Sequence, residues 1–157
     1  MLGSLNRWLR ICGFDTNYIQ NAPDEELLEL AKNEVRVLLT RDVTLFRKAL
    51  RAGQTAFLVE GEEDAGKLAS VAVRFCLSLG VEMSRCAACG GSLRSASKED
   101  VRDLVPSGTY SAYDEFWVCG SCGKVYWRGS HWGNIVDTVD EARRLVDQVR
   151  GCSEQDL

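Results

Sequence analysis

The chain has 157 residues, 45% of them hydrophobic, with 19 lysines and arginines against 23 aspartates and glutamates. A net charge of −4 argues against steering of the whole molecule toward nucleic acid. No run of 18 apolar residues occurs, which argues against a membrane span, and the length fits one ordinary domain or a domain with a small module.

Leu2, Leu5, Leu9 and Cys12 recur at helical spacing, and Gly13 stops that helix. Residues 15–19 read as a short strand. Residues 21–24 form a helix entry, in which Asp24 or a neighbour caps and Glu25 and Glu26 suit the positive helix end. Residues 35–40 are a β-rich run of the kind buried in a parallel sheet. A helix through Leu45, Phe46, Ala49 and Leu50 ends at Gly53, residues 56–59 give the next strand, and a long helix covers 64–79. Strand, helix, strand, helix is the order of an α/β layer.

After Gly80 the composition changes. Residues 84–132 hold three of the four tryptophans, the single histidine and two matched cysteine pairs, Cys86-Ala87-Ala88-Cys89 and Cys119-Gly120-Ser121-Cys122. A two-residue gap points both thiolates of one turn at one ion, and the flanking glycines let backbone N–H groups fold inward. Two such turns make a tetrahedral sulfur site, the usual cage for structural zinc. Spacing alone does not separate zinc from iron. The long separation between the pairs implies an insertion, with a short helix over 98–104. Two disulfides are the competing use of these cysteines. An odd total of seven cysteines and no readable secretory signal favour metal in a reducing cytoplasm. Cys12, Cys76 and Cys152 read as buried small apolar residues. A final helix over 135–149 carries Val139, Ala142, Leu145, Val146 and Val149 as its stripe.

Outside the cysteines, Leu39-Thr40-Arg41-Asp42 is the sharpest candidate, because a carboxylate at the C-terminal end of a buried strand lies where α/β sheets place ligands. Asp42 is equally read as the N-cap of the next helix. Asp24 is placed by the same argument to face Asp42, and clustered carboxylates would hold Mg²⁺ or Mn²⁺. Basic strips at 1–12, with Arg7 and Arg10, and at 36–51, with Arg36, Arg41, Arg47, Lys48 and Arg51, can meet a phosphate backbone or be solvated helix faces. His131 is read either as a phosphate or base contact, with Arg128 supplying charge and Trp127 or Trp132 a stacking face, or as a histidine packed between tryptophans. Phe116 and Tyr126 are assigned to packing.

Three stretches together carry a resemblance: Met-Leu-Gly-x-Leu-x-Arg-Trp-Leu-Arg-x-x-Gly-Phe-Asp-Thr over 1–16, Leu-Leu-Thr-Arg-Asp over 38–42, and Asp-Glu-Phe-Trp-x-Cys-x-x-Cys-Gly-Lys-Val-Tyr-Trp-Arg-Gly-Ser-His-Trp over 114–132. Together they resemble the Mut-seven C-terminal RNase family, a PIN-like nuclease domain with an appended zinc ribbon. The resemblance implies a PIN-like three-layer parallel sheet over residues 1–82, a four-cysteine zinc ribbon over 83–135, and a C-terminal helix and tail over 136–157. It implies a metal-dependent ribonuclease with Asp42, Asp24 and Asp15 as catalytic acids holding Mg²⁺ or Mn²⁺. Thr40, Arg41, Arg128, His131 and Trp132 would contact RNA, and Cys86, Cys89, Cys119 and Cys122 would hold structural zinc. The family pattern opens with a strand ending in an aspartate just before Met-Leu-Gly, so a further metal ligand is expected upstream of Met1. The alternative is a non-catalytic RNA- or protein-binding zinc-ribbon module. A protein partner is conceivable by fold analogy alone.

Overall fold

The computed structural model describes residues 2–154, with side chains up to Gly151. The chain runs α1 (Gly3–Ile11), α2 (Asp24–Asn33), β1 (Leu38–Thr40), α3 (Val43–Arg51), β2 (Ala56–Leu58), α4 (Asp64–Phe75), β3 (Leu93–Ala96), α5 (Ser107–Ala112), β4 (Phe116–Cys119), β5 (Val125–Tyr126) and α6 (Trp132–Glu154). A 3-10 turn, Glu99–Val101, stands between β3 and α5.

α1 forms because Leu5 and Leu9, with Cys12 at its end, face one buried cluster, and it ends where Gly13 takes φ +90°. A side chain at residue 13 would meet the Met83 carbonyl oxygen at 2.6 Å, so glycine is required for contact as well as for conformation. The expected strand over 15–19 is not formed. That segment is held against α1 by side chains instead: the Thr16 hydroxyl donates to Asn6 Oδ1 at 2.7 Å, and Arg10 donates to the Thr16 carbonyl.

β1 pairs with β2 in parallel, Leu38 opposite Ala56 and Thr40 opposite Leu58, with α3 as the crossover. Leu38, Leu45, Ala49 and Ala56 are buried together there. This parallel sheet has two strands among the described residues, so the full three-layer sheet expected from the resemblance is not present in it. Part of the reason is local. The run expected to be strand from residue 35 begins at Leu38, because Val35 sits at φ +53° and is spent on terminating α2. Its N–H donates to the Lys32 carbonyl and that of Arg36 to Ala31, a Schellman ending.

The larger core joins sequence-distant helices. Leu5 and Leu9 of α1, Leu68, Val71 and Ala72 of α4, and Val139, Ala142 and Val146 of α6 are buried in one cluster. α6 therefore returns to the α/β part, and the cysteine-bearing segment is inserted between α4 and α6. α4 stops at Phe75, short of residue 79, because Cys76 adopts the left-handed conformation. That places the Cys76 thiol in solvent, contrary to the buried position expected; Cys12 is buried, and the Cys152 side chain lies outside the described residues. The inserted ribbon is an antiparallel sheet in the order β3-β4-β5. It has a small core of its own, Val101, Phe116 and Val118, against which Tyr113, Val125 and Trp127 pack. The helix expected over 98–104 is reduced to the 3-10 turn, and α5 follows it.

Candidate functional site

Two knuckles bring the four cysteines together. The Sγ atoms of Cys86, Cys89, Cys119 and Cys122 all lie within 4.8 Å of one another, with Cys86 to Cys122 at 3.6 Å and Cys89 to Cys119 at 3.5 Å. Tetrahedral zinc with sulfur at about 2.3 Å sets the edges of its sulfur tetrahedron at about 3.8 Å. The donor set fits that ion in type, number and spacing. No two of the sulfurs approach a covalent S–S length, and all four thiols are free.

The local sequence builds the cage. Gly90 and Gly123 each follow the second cysteine of a pair at positive φ, which turns the chain so that N–H groups face sulfur. Gly91 N–H donates to Cys89 Sγ at 3.4 Å, and Ser121 and Cys122 N–H groups donate to Cys119 Sγ at 3.4 and 3.5 Å. The Tyr126 hydroxyl lies 3.0 Å from Cys86 Sγ. Burial pushes the Cys86 thiol up, but the Tyr126 hydroxyl and the N–H groups of Cys89 and Ala88 outweigh it and hold the thiol down to about 6. Cys89 is pushed up to about 12: the Gly91 N–H lowers it, and the neighbouring sulfurs, Cys119 first, overcome that. Four thiolates this close repel, and a divalent cation among them removes the conflict.

The first knuckle is fastened to α1. Arg10 is buried, and its guanidinium donates to the carbonyls of Ala88 at 2.9 Å, Ala87 at 3.4 Å and Thr16 at 3.0 Å. Ala87 and Ala88 are the two residues between the first pair of cysteines. Arg85 adds donation to the Gly13 carbonyl, and Ser84 to that of Ile11. Arg10, read from sequence as part of a basic strip open to phosphate, is thus committed to the fold. A buried guanidinium beside a cysteine cage also offsets the negative charge of thiolates around a divalent ion.

The strand-end acids are arranged differently. Asp42 follows β1 and caps α3, its Oδ1 accepting from Thr44 N–H at 2.6 Å and Leu45 N–H at 3.1 Å. Both sequence readings of this residue therefore remain compatible: it is a cap, and its exposed Oδ2 has no hydrogen-bond partner among the described residues. The buried Thr40 hydroxyl accepts from Asp42 N–H at 3.0 Å, which fixes the turn. Arg41 donates to the Gly61 carbonyl and to Glu62 Oε1, both at 2.9 Å, clipping the loop after β1 to the loop after β2. Asp24 begins α2 and pairs with Lys48 Nζ at 2.7 Å. The Asp24 hydrogen bond raises the Lys48 ammonium above its ordinary value, and the charges of Glu25 and Asp42 add to it. Lys48 therefore lies in the field of both Asp24 and Asp42. Asp15 is not drawn in: it pairs with Arg36 at 2.8 Å. Among the described residues no three carboxylates gather as the four sulfurs do.

One acid was not singled out from sequence. Asp64 is the first residue of α4, which follows β2, and unlike Asp42 it does not cap its helix. Its Oδ2 accepts from the Trp8 indole N–H at 2.9 Å, and that bond first, against some desolvation, holds its carboxyl below the usual range. The available signal was an acid in the first turn of the helix that follows the second strand, one of several acids over 60–64. Trp8 joins α1 to the start of α4 through this contact.

In the ribbon, the Arg128 guanidinium lies 5.3 Å from the Trp117 ring and 5.1 Å from the Trp132 ring. Arg128, not His131, is the residue between tryptophans; His131 is exposed. Trp127 belongs to the ribbon core, its ring 6.5 Å from Phe116, so it is a packing residue and not a stacking face.

No helix among the described residues is long and apolar enough to cross a membrane. No curated protein and no solved structure matches the chain. Residues 1–139 match the family described as the Mut7-C RNAse domain, and the chain belongs to that family.

Proposed function

We propose that the chain is a PIN-like, metal-dependent ribonuclease in which Asp42 and Asp24 bind a catalytic Mg²⁺ or Mn²⁺ and the ribbon positions RNA through Arg128, His131 and Trp132. Family membership carries the reading. The structure supports it at one point above all. Asp42 projects from the C-terminal end of a parallel strand, with one carboxylate oxygen spent on the cap and the other uncommitted. Hard divalent cations take oxygen ligands of this kind. Bound there, such an ion would supply an activated water and neutralise charge on the phosphoryl group. Thr40 and the α3 N–H groups would hold Asp42 in one orientation, and Arg41 would fix the loop beside it. Lys48 occupies Asp24 and would have to yield it to the ion or remain as a phosphate contact. Asp15, engaged with Arg36, is the weakest of the three proposed acids. Structural zinc at the four cysteines completes the proposal.

Asparagine caps helices about as well as aspartate, so Asp42→Asn removes the charge while keeping α3. Incubated with labelled RNA and Mn²⁺ or Mg²⁺, the protein should cleave, and Asp42→Asn should lose at least a hundredfold in rate with unchanged RNA affinity. Binding without any cleavage, under either ion, would favour a non-catalytic RNA-binding module.

A further inference from the structure

Apart from the exposed Tyr18, the aromatic residues of the chain fall into two groups. Trp8, Phe14, Phe57 and Phe75 pack on the larger core, Phe46 on the smaller one, and Tyr113, Phe116 and Trp127 on that of the ribbon. Trp117, Tyr126, Trp132 and Tyr110 belong to none of these, and each has a cation over its ring. Arg128 serves Trp117 and Trp132, Lys124 lies 5.7 Å from Tyr126, and Lys98 lies 5.1 Å from Tyr110.

Strand register explains the placement. Side chains alternate across a sheet, so Phe116 and Val118 of β4 face the ribbon core while Trp117 faces the opposite side. Trp117 is directly opposite Tyr126 of β5 and Ser95 of β3. Lys124 flanks Tyr126 on the same alternation, and Arg128 lies two residues beyond it. Trp132, at the start of α6, closes the row from the other side of Arg128. One sheet face thus carries planar rings interleaved with positive charges, on a chain whose overall charge is negative.

We infer that this face, Trp117, Tyr126, Lys124, Arg128 and Trp132, is a binding surface for single-stranded RNA, the bases stacking on Trp117 and Trp132 and the phosphates meeting Lys124 and Arg128. The inference rests on the ribonuclease reading for the choice of RNA and for Arg128 and Trp132, and extends it to a class of substrate and to Trp117, Tyr126 and Lys124, which that reading does not use. Stacking needs half-open rings that no core has claimed, and it tolerates any base because every base has a π-face. A duplex hides its base faces, so it offers these rings nothing. Tyr126 also ties the surface to the cysteine cage, since its hydroxyl is against Cys86 Sγ.

The test measures binding, without Mg²⁺ or Mn²⁺, to oligouridine RNA, to an RNA duplex of equal length and to inorganic polyphosphate. Failure to cleave would then bear on the nuclease reading alone, and failure to bind on this one. Tryptophan emission should be quenched by oligouridine and not by polyphosphate. Trp117→Ala and Trp132→Ala should each weaken oligouridine binding about tenfold, the order of one lost stack. Trp117→Phe should keep most of the affinity, and zinc content should be unchanged. Tighter binding to duplex, equal binding to polyphosphate, or alanine variants that keep their zinc and their affinity would overturn the inference. Absence of quenching in the unaltered protein would overturn it even where a variant fails to fold.

Discussion

Val35 shows how a single residue can carry a conformational cost that its chemistry does not suggest. It takes the left-handed position that ends α2, and it is 92% exposed, so its side chain gains little packing in return. At the matching position after α1 stands Gly13, and after α3 stands Gly53. A β-branched residue there costs about 1–2 kcal/mol in backbone strain, partly offset by the greater unfolded-state freedom of glycine. Val35→Gly should therefore stabilise the protein by about 1 kcal/mol, seen as a higher urea midpoint at constant slope. A loss of stability would show that Val35 makes a contact its exposure denies. The same residue explains why an apolar run that reads as strand from position 35 begins three residues later.

At the scale of elements, the joint between α1 and the first cysteine knuckle is the most consequential contact. The sequence separation is large: Arg10 reaches carbonyls 77 and 78 residues away. These carbonyls and that of Thr16 are satisfied by one buried cation, so its loss leaves several polar groups without partners. Arg10→Ala should cost about 3 kcal/mol and should also weaken zinc binding, because the knuckle loses the brace on Ala87 and Ala88. Arg7→Ala, one turn earlier and exposed, is the matched control and should change neither. Urea denaturation and a chelator competition measure the two effects; an Arg10→Ala protein that keeps its zinc affinity would mean that the knuckle holds its shape alone. The knuckles themselves were legible, since cysteine spacing and glycine placement encode a local turn. The brace was not, because nothing in the pattern around Arg10 distinguishes a buried guanidinium from a solvated one.

For the whole molecule, the ribbon is an insertion inside a core that closes only when α6 returns to α1 and α4. Metal at the cysteines should therefore stabilise more than the ribbon. Removing zinc with a chelator should lower the thermal midpoint of the α-helical signal, which comes mainly from α1, α4 and α6, together with that of the ribbon. Two separated transitions, with the helical one unmoved, would show that the parts are energetically independent. Affinity for zinc should rise with pH from about 6 upward. Cys86 is held down to about 6, but Cys89 is pushed up to about 12 and must surrender a proton to become a ligand. A pH-independent affinity between 6 and 8 would contradict that proton release.

Taken alone, the sequence determined what depends on near neighbours: the helical periods of α1, α3 and α4, the stop at Gly13, the parallel pair β1 and β2 around α3, and the two cysteine turns. Family membership was also legible there, because its motifs are contiguous. Only the tertiary structure decided what depends on distant partners. It placed α6 in the first core, buried Arg10 under the knuckle, and seated Arg128 rather than His131 between tryptophans. It also separated Trp127, turned inward with Phe116, from Trp117, turned outward. Residues one position apart on a strand are nearly indistinguishable in composition, and which face meets the core is settled by register and by the elements that cover it.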